Sequence, residues 1–260
     1  MLYSLLSPAK KLAKTNPYEG LTSDIRFPTD TASLVSELQQ YTTDDLVKLM
    51  GISTKLATLN HARYTRLEPF SRTAFEPMPA IFLFQGDVYQ HLNAEQFNQA
   101  DLDFCQKRLG ILSGLYGLLA PLDLIQAHRL EMGTKLPNPR GPNLYAFWRE
   151  QVTQAINEHM HNTQASHLIN LASKEYFSVI DKNKVNTPII DIHFKEMKKG
   201  ALKTIGIFAK RARGAMAQFI IKTRCTKPND LKKFNAMAYQ FSQTHSDEST
   251  FVFVRTDHAA

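Results

Sequence analysis

Two kinds of residue in this chain could do chemistry: a dense run of cations and a scattered set of carboxylates. The 40 residues from Phe194 to Lys233 hold twelve Lys and Arg against two acids, Glu196 and Asp230, a local net charge of +10. The whole chain is +7, so everything outside that run sums to −3. Charge gathered in this way sets up a positive field, and such a field most often faces phosphate. The run alternates with apolar residues and so reads as folded rather than as a disordered basic tail. Its cations fall at Lys198 and Lys199, at Lys210, Arg211 and Arg213, and at Lys222 and Arg224.

The carboxylates are Asp87, Glu131 and Glu175, each in a short polar segment: Gly86-Asp87-Val88-Tyr89, Arg129-Leu130-Glu131-Met132-Gly133 and Ser173-Lys174-Glu175-Tyr176. Ser7 and Lys10 follow the first apolar run in the same manner. Strand ends in α/β sheets rim clefts, and carboxylates gathered there can do acid–base work. Singly, each reads equally well as a cap or turn residue. No P-loop or GxGxxG is present, and Gly110 to Gly114 is one residue too long for a nucleophile elbow. Of nine histidines only His159 and His161 are close, and at i, i+2 they do not share a helix face, so neither a metal site nor a cofactor is expected. Cys105 and Cys225 make no CxxC and no disulfide framework.

These residues need elements to hold them. Apolar runs at Leu2–Leu6 and Ile81–Phe84 read as buried strands, with further candidates at 167–171, 189–194, 202–208 and 250–255. The pair 189–194 and 202–208 straddles Lys198-Lys199-Gly200, as a hairpin with a basic loop does. Helical spacing appears at 32–41, 44–50, 54–63, 100–109, 144–160 and 212–224. The helix after Asn143 is the best signed, with Leu144, Phe147, Trp148, Val152 and Ile156 on one face. Residues 42–64 have the shape of a helix-hairpin-helix: Gly51 stops one helix, Ile52 plugs the core and Ser53 caps the next. The amides at that helix start, with Lys55 and Arg63 nearby, could grip a backbone phosphate without reading bases. Interleaved helices and strands over 260 residues, with no repeat or linker, predict one mixed α/β domain spanning 1–260. No apolar run is long enough for a membrane span, and the opening residues lack the basic flank of a signal peptide, so a reducing cytoplasm is the expected compartment.

Taken in order, Ser7-Pro8-Ala9-Lys10, Gly86-Asp87-Val88-Tyr89, Leu112-Ser113-Gly114-Leu115-Tyr116-Gly117, Pro121-Leu122-Asp123, Arg129-Leu130-Glu131-Met132-Gly133, Asn170-Leu171-Ala172-Ser173 and Ala209-Lys210-Arg211-Ala212-Arg213-Gly214 resemble the blocks of the peroxide-stress resistance YaaA family. The resemblance runs from Ser7 to Arg255, with His128 where the family often has Tyr. It implies a compact α/β fold with a basic cleft and a helix-hairpin-helix. It also implies binding to DNA and a cytoplasmic role in surviving hydrogen peroxide linked to limiting free iron. The expected form prefers double-stranded DNA and is more a binder than an enzyme. The DNA-facing residues expected are Lys10, Gly51, Ile52, Ser53, Lys55, Arg63, Lys198, Lys199, Lys210, Arg211, Arg213, Lys222 and Arg224. An enzyme on nucleic acid or nucleosides, such as an N-glycosidase using Asp87, Glu131 or Glu175, is the alternative. Convergence of Asp87, Glu131, Asn170 and Glu175 in one deep pocket with perturbed pKa values would favour it, and dispersed caps beside a duplex-width cationic groove would favour binding.

Overall fold

Leu2–Leu6 is apolar at nearly every position and buried at all five, the signature of a strand covered on both faces. In the computed structural model, which describes residues 1–73, 76–198 and 200–256, it is the centre of an eight-stranded mixed sheet. On one side lie Leu109–Ser113, parallel to it, and then Gly117–Leu119, antiparallel. On the other lie His167–Asn170, Ile189–Lys198 and Thr250–Thr256, all parallel, and Tyr239–Phe241, antiparallel, at the edge. The chain therefore leaves Leu2–Leu6 in one direction and leaves His167–Asn170 in the other. The strand order reverses between these two neighbours.

Only the first three residues of Ile189–Lys198 pair with its neighbour: Leu168 pairs with Ile189 and the last, Asn170, with Asp191. Its later residues thus project beyond the carboxyl edge of the central strands as an arm. Thr250–Thr256 and Ala201–Lys203 pair with that arm. The alternation along it buries Ile190, Ile192, Phe194 and Glu196 on one face and leaves Asp191, His193, Lys195 and Met197 on the other. Phe194 packs with Phe234, Tyr239 and Phe253 under the arm, and the Glu196 carboxylate accepts from the Tyr239 hydroxyl and from Arg255 Nε at 2.6 Å.

The helix of 19 residues, Leu144–Asn162, buries the stripe expected of it, and Trp148 Nε1 donates to the Gly114 carbonyl at 2.9 Å. Two expectations fail. Ile81–Phe84 is not a strand: Ala80–Leu83 is a helical turn, and Phe84–Gln85 makes only a short antiparallel pair with Lys11–Leu12. An apolar run of four fully buried residues has no periodicity to separate turn from strand, and the Ala80 and Ile81 amides bond to Asp123 and Pro121 carbonyls rather than to a ladder. The second failure is 202–208. Only Ala201–Lys203 pairs, and Gly206 already opens the helix Gly206–Lys222, six residues before the expected start at Ala212. Lys210 and Arg211 consequently lie a turn inside that helix rather than ahead of its start.

Candidate functional site

The strand-order reversal places the ends of Leu2–Leu6 and His167–Asn170 side by side, which is where open α/β sheets form a crevice. Here the two following segments are tied together: the Ser7 hydroxyl accepts from the Ser173 amide at 2.8 Å and donates to the Ser173 hydroxyl at 3.3 Å. Tyr89, from the helix Asp87–Leu92, donates to the Ser7 carbonyl at 3.0 Å. Around this knot opens a cleft of about 400 Å³. Its lining brings together Asp87, Glu131 and Glu175 with Lys10, Lys11, Arg129, Lys210 and Arg213. All three carboxylates singled out in the sequence therefore meet in one place. Asn170 does not join them; its amide donates to Asp191 at 2.6 Å.

Gly214 is what brings the basic helix to the cleft. A Cβ at this position would lie 1.9 Å from the Val88 carbonyl oxygen, so Gly206–Lys222 and Asp87–Leu92 can cross closely only because none is there. That crossing sets Arg211 Nε 2.9 Å from Asp87 and turns Lys210 and Arg213 toward the opening.

The ion pairs of the cleft are unevenly distributed. Glu131 is taken by Lys10 at 2.6 Å and Arg129 at 3.0 Å, and Asp87 by Arg211. Glu175 accepts from the Gly133 amide at 3.0 Å. Lys11, Lys210 and Arg213 have no anionic partner among the described residues, and Arg213 Nε is buried with no hydrogen bond at all. Five lining cations against three carboxylates leave a surplus of two positive charges. Burial lowers the Arg213 pKa, and at the back of the cleft it pushes His128 down to about 4 against a hydrogen bond to the Gln126 carbonyl, so that imidazole is neutral at pH 7. Burial also raises the Tyr176 hydroxyl above its ordinary value.

The remaining cations divide. Lys195 and Lys198 lie on the arm, and the same arm's His193 is within electrostatic range of Arg213. Lys199 lies outside the described residues. Lys222 and Arg224, at the far end of the helix, are committed elsewhere: they hold Asp101, which is 4% exposed, at 2.6 and 2.8 Å. They also cover Phe97 and Phe104.

Residues 42–64 form two helices, Thr43–Met50 and Thr54–Arg66. Gly51 ends the first in the left-handed region at φ 62°, Ile52 is buried, and the Ser53 hydroxyl accepts from the Leu56 amide at 3.4 Å. Lys55 is exposed on the second helix. Arg63, near its carboxyl end, is half-buried and bonds Asn60 at 3.3 Å. Tyr64 donates from there to the Arg129 carbonyl, so this end of the helix abuts the cleft wall. The Gly51–Ser53 turn is at the other end, ten residues and about 15 Å away along the axis. The sequence reading did not single out Arg129 or Lys11 as site residues; only their place in the strand-end segments pointed to them.

The family model described as peroxide stress protein YaaA matches residues 1–245. A UPF0246 protein of Legionella pneumophila (strain Lens) is 43% identical over 255 residues, covering 98% of this chain and 99% of its own. UPF0246 proteins of Marinomonas sp. (strain MWYL1) and Tolumonas auensis are 43% and 42% identical, each covering 98% of this chain and 97% and 98% of their own. The chain belongs to the peroxide stress protein YaaA family.

Proposed function

We propose that this family member is a cytoplasmic DNA-binding protein of the hydrogen peroxide response, duplex-preferring and weakly sequence-specific, and that binding is how it limits peroxide and iron damage. The observation that carries this reading is positive charge with no ion-pair partner among the described residues: Lys210 and Arg213 in the cleft, with Lys195 on the arm face that also carries His193. The Gly51–Ser53 turn supports it as a second grip. The helix it opens runs about 15 Å from the turn to Tyr64 at the cleft wall, a length of the same order as the roughly 12 Å width of a B-DNA major groove, so a duplex on that side would reach both. Contacts of these kinds go to phosphates and carry little base information.

The test is a titration with duplex and single-stranded DNA across salt. Affinity is expected to fall log-linearly, by roughly 0.9 in slope for each phosphate neutralised. An affinity that ignores salt, or a preference for single strands, overturns the reading.

A second reading has its own observation, the meeting of Asp87, Glu131 and Glu175 in the cleft. It is an enzyme acting on nucleic acid or nucleosides, with one of these carboxylates as acid or base. Product analysis of the same titration samples separates the two. Base release or strand cleavage that Glu131→Gln abolishes while DNA affinity persists puts the enzyme in place of the binder.

A further inference from the structure

A duplex cannot enter a cleft of about 400 Å³, which is near the lower end of the size range for small-ligand sites. Its interior suits something smaller, and the lining describes what that would be. Buried polar groups nearly always have partners, so the Arg213 Nε–H, buried and without one, is a donor waiting for an acceptor. Lys210 lies three residues earlier on the same helix face, also without an anion among the described residues. A bare inorganic anion would satisfy those two, yet the same cleft carries carboxylates and an apolar wall. Leu130 and Leu171 are buried in that wall, and the Tyr176 ring joins them. Glu131 and Asp87 are pinned by their own cations and keep lone pairs free, so each can still accept from a hydroxyl or an amino group. Cationic, acceptor-bearing and apolar surfaces within one small space match a ligand with phosphate, hydroxyl or amino donors, and a flat apolar face.

We infer that the cleft is a receptor for a single nucleotide unit, its phosphate held by Arg213 and Lys210 and its sugar or base donors facing Glu131 and Asp87. This deepens the proposal that the basic face meets nucleic acid. The same chemistry has two sources: a free mononucleotide, or a nucleotide drawn out of a DNA strand that lies across the arm and the turn. Drawing one out costs stacking, and least where the base is already unpaired or damaged.

Calorimetric titration of the full chain with AMP, dAMP, adenosine and inorganic phosphate tests the receptor. The mononucleotides should bind at least about tenfold tighter than either fragment, since each fragment gives up one set of contacts. Arg213→Met should weaken mononucleotide binding about 30-fold or more, as loss of a buried charged partner does, and Arg213→Lys should restore only part of it. Cooperative thermal unfolding of both variants shows that the helix still docks. Phosphate binding as well as AMP, or Arg213→Met binding like the parent, overturns the inference.

The source is read with a duplex carrying 2-aminopurine opposite a mismatch. A rise in fluorescence that AMP competes away identifies an extruded nucleotide; AMP binding with no rise identifies a free one. Salt-dependent DNA binding without any mononucleotide binding removes the receptor and leaves the DNA proposal standing. Mononucleotide binding without DNA affinity does the reverse.

Discussion

The helix Gly206–Lys222 has a different electrostatic fate at each of its two ends. Near its start Lys210 and Arg213 face an open cleft and make no ion pair among the described residues; near its end Lys222, with Arg224 just beyond, closes on buried Asp101. In sequence the two clusters look alike, and both fall within the same +10 run. The difference lies in a residue more than a hundred positions away. Asp101 belongs to the capping box of another helix, where it answers the Asn98 amide at 3.1 Å as well as the two cations. Charge density in a sequence therefore marks where a field can exist, and the fold decides which part of it reaches solvent.

The largest effect is expected at the point that holds the two ends in one piece. Gly214→Ala puts a methyl group against the Val88 backbone, which no side-chain adjustment can relieve. Alanine gains helix propensity, but the overpacking outweighs it, and a net loss of about 3 kcal/mol is expected. Chemical denaturation measures that loss. Because the shift separates the basic helix from Asp87, DNA affinity measured on the still-folded fraction should fall as well; a variant with unchanged stability and affinity shows that the crossing can relax.

Breaking the closed end should separate stability from binding. Asp101→Ala leaves Lys222 and Arg224 facing each other without their acid and removes half of a helix cap. Both cations keep more than a third of their side chains exposed, so the cost is about 2 kcal/mol rather than that of a dry ion pair. DNA affinity should not drop. The pH dependence supplies a sign. Burial raises the Asp101 pKa, but bonds from Lys222, the Asn98 amide and Arg224 outweigh it and hold the carboxyl below its usual value. A depressed carboxylate stabilises the fold above its unfolded pKa of about 4 and loses that contribution as pH falls through the folded value. The parent should thus shed more stability than Asp101→Ala between about pH 5 and pH 2; parallel acid curves would remove Asp101 as the partner.

What the sequence disclosed follows the same division between local and distant causes. The stripe Leu144, Phe147, Trp148, Val152 and Ile156 and the turn Gly51-Ile52-Ser53 were legible because periodicity and capping act over a few residues. Leu109–Ser113 was read only as a failed elbow, since a buried parallel strand needs a neighbour to be recognised, and its neighbour is Leu2–Leu6. The helix start at Gly206 was hidden because Ile205, Ile207 and Phe208 are strand formers whose choice is made by packing. Asp87, Glu131 and Glu175 could be named as strand-end carboxylates, yet their convergence depends on the strand order between Leu2–Leu6 and His167–Asn170, which no local pattern encodes.

The hairpin turn offers a third region against which to set the two helix ends. Gly51 holds φ 62° in open space, so a larger residue meets backbone strain and no clash. Gly51→Val should cost about 1 to 2 kcal/mol of stability and disturb the aim of the Ile52 and Ser53 amides. If that turn grips phosphate, DNA binding by the folded variant should weaken more than after loss of any one cation. Unchanged affinity makes it a scaffold hairpin, and the binding face then reduces to the cleft and the arm.

The smallest effect is the sharpest comparison, because it sets two lysines of one helix against each other. Lys210→Met and Lys222→Met each remove one charge, and a diffuse field would feel the two losses about equally. A contact would not. Lys210 has no anion among the described residues, so its replacement should weaken duplex binding modestly and lower the salt slope by about 0.9, one phosphate's worth. Lys222 is already spent on Asp101 and on the Gln96 carbonyl at 2.8 Å, so its replacement should leave the slope where it was and lower the melting temperature instead. The slope is the informative quantity, since it counts ions released and is insensitive to small losses of folded protein. Equal slope changes for the two variants would mean that DNA sees only the summed charge of the helix, and the distinction between its open and closed ends would carry no functional weight.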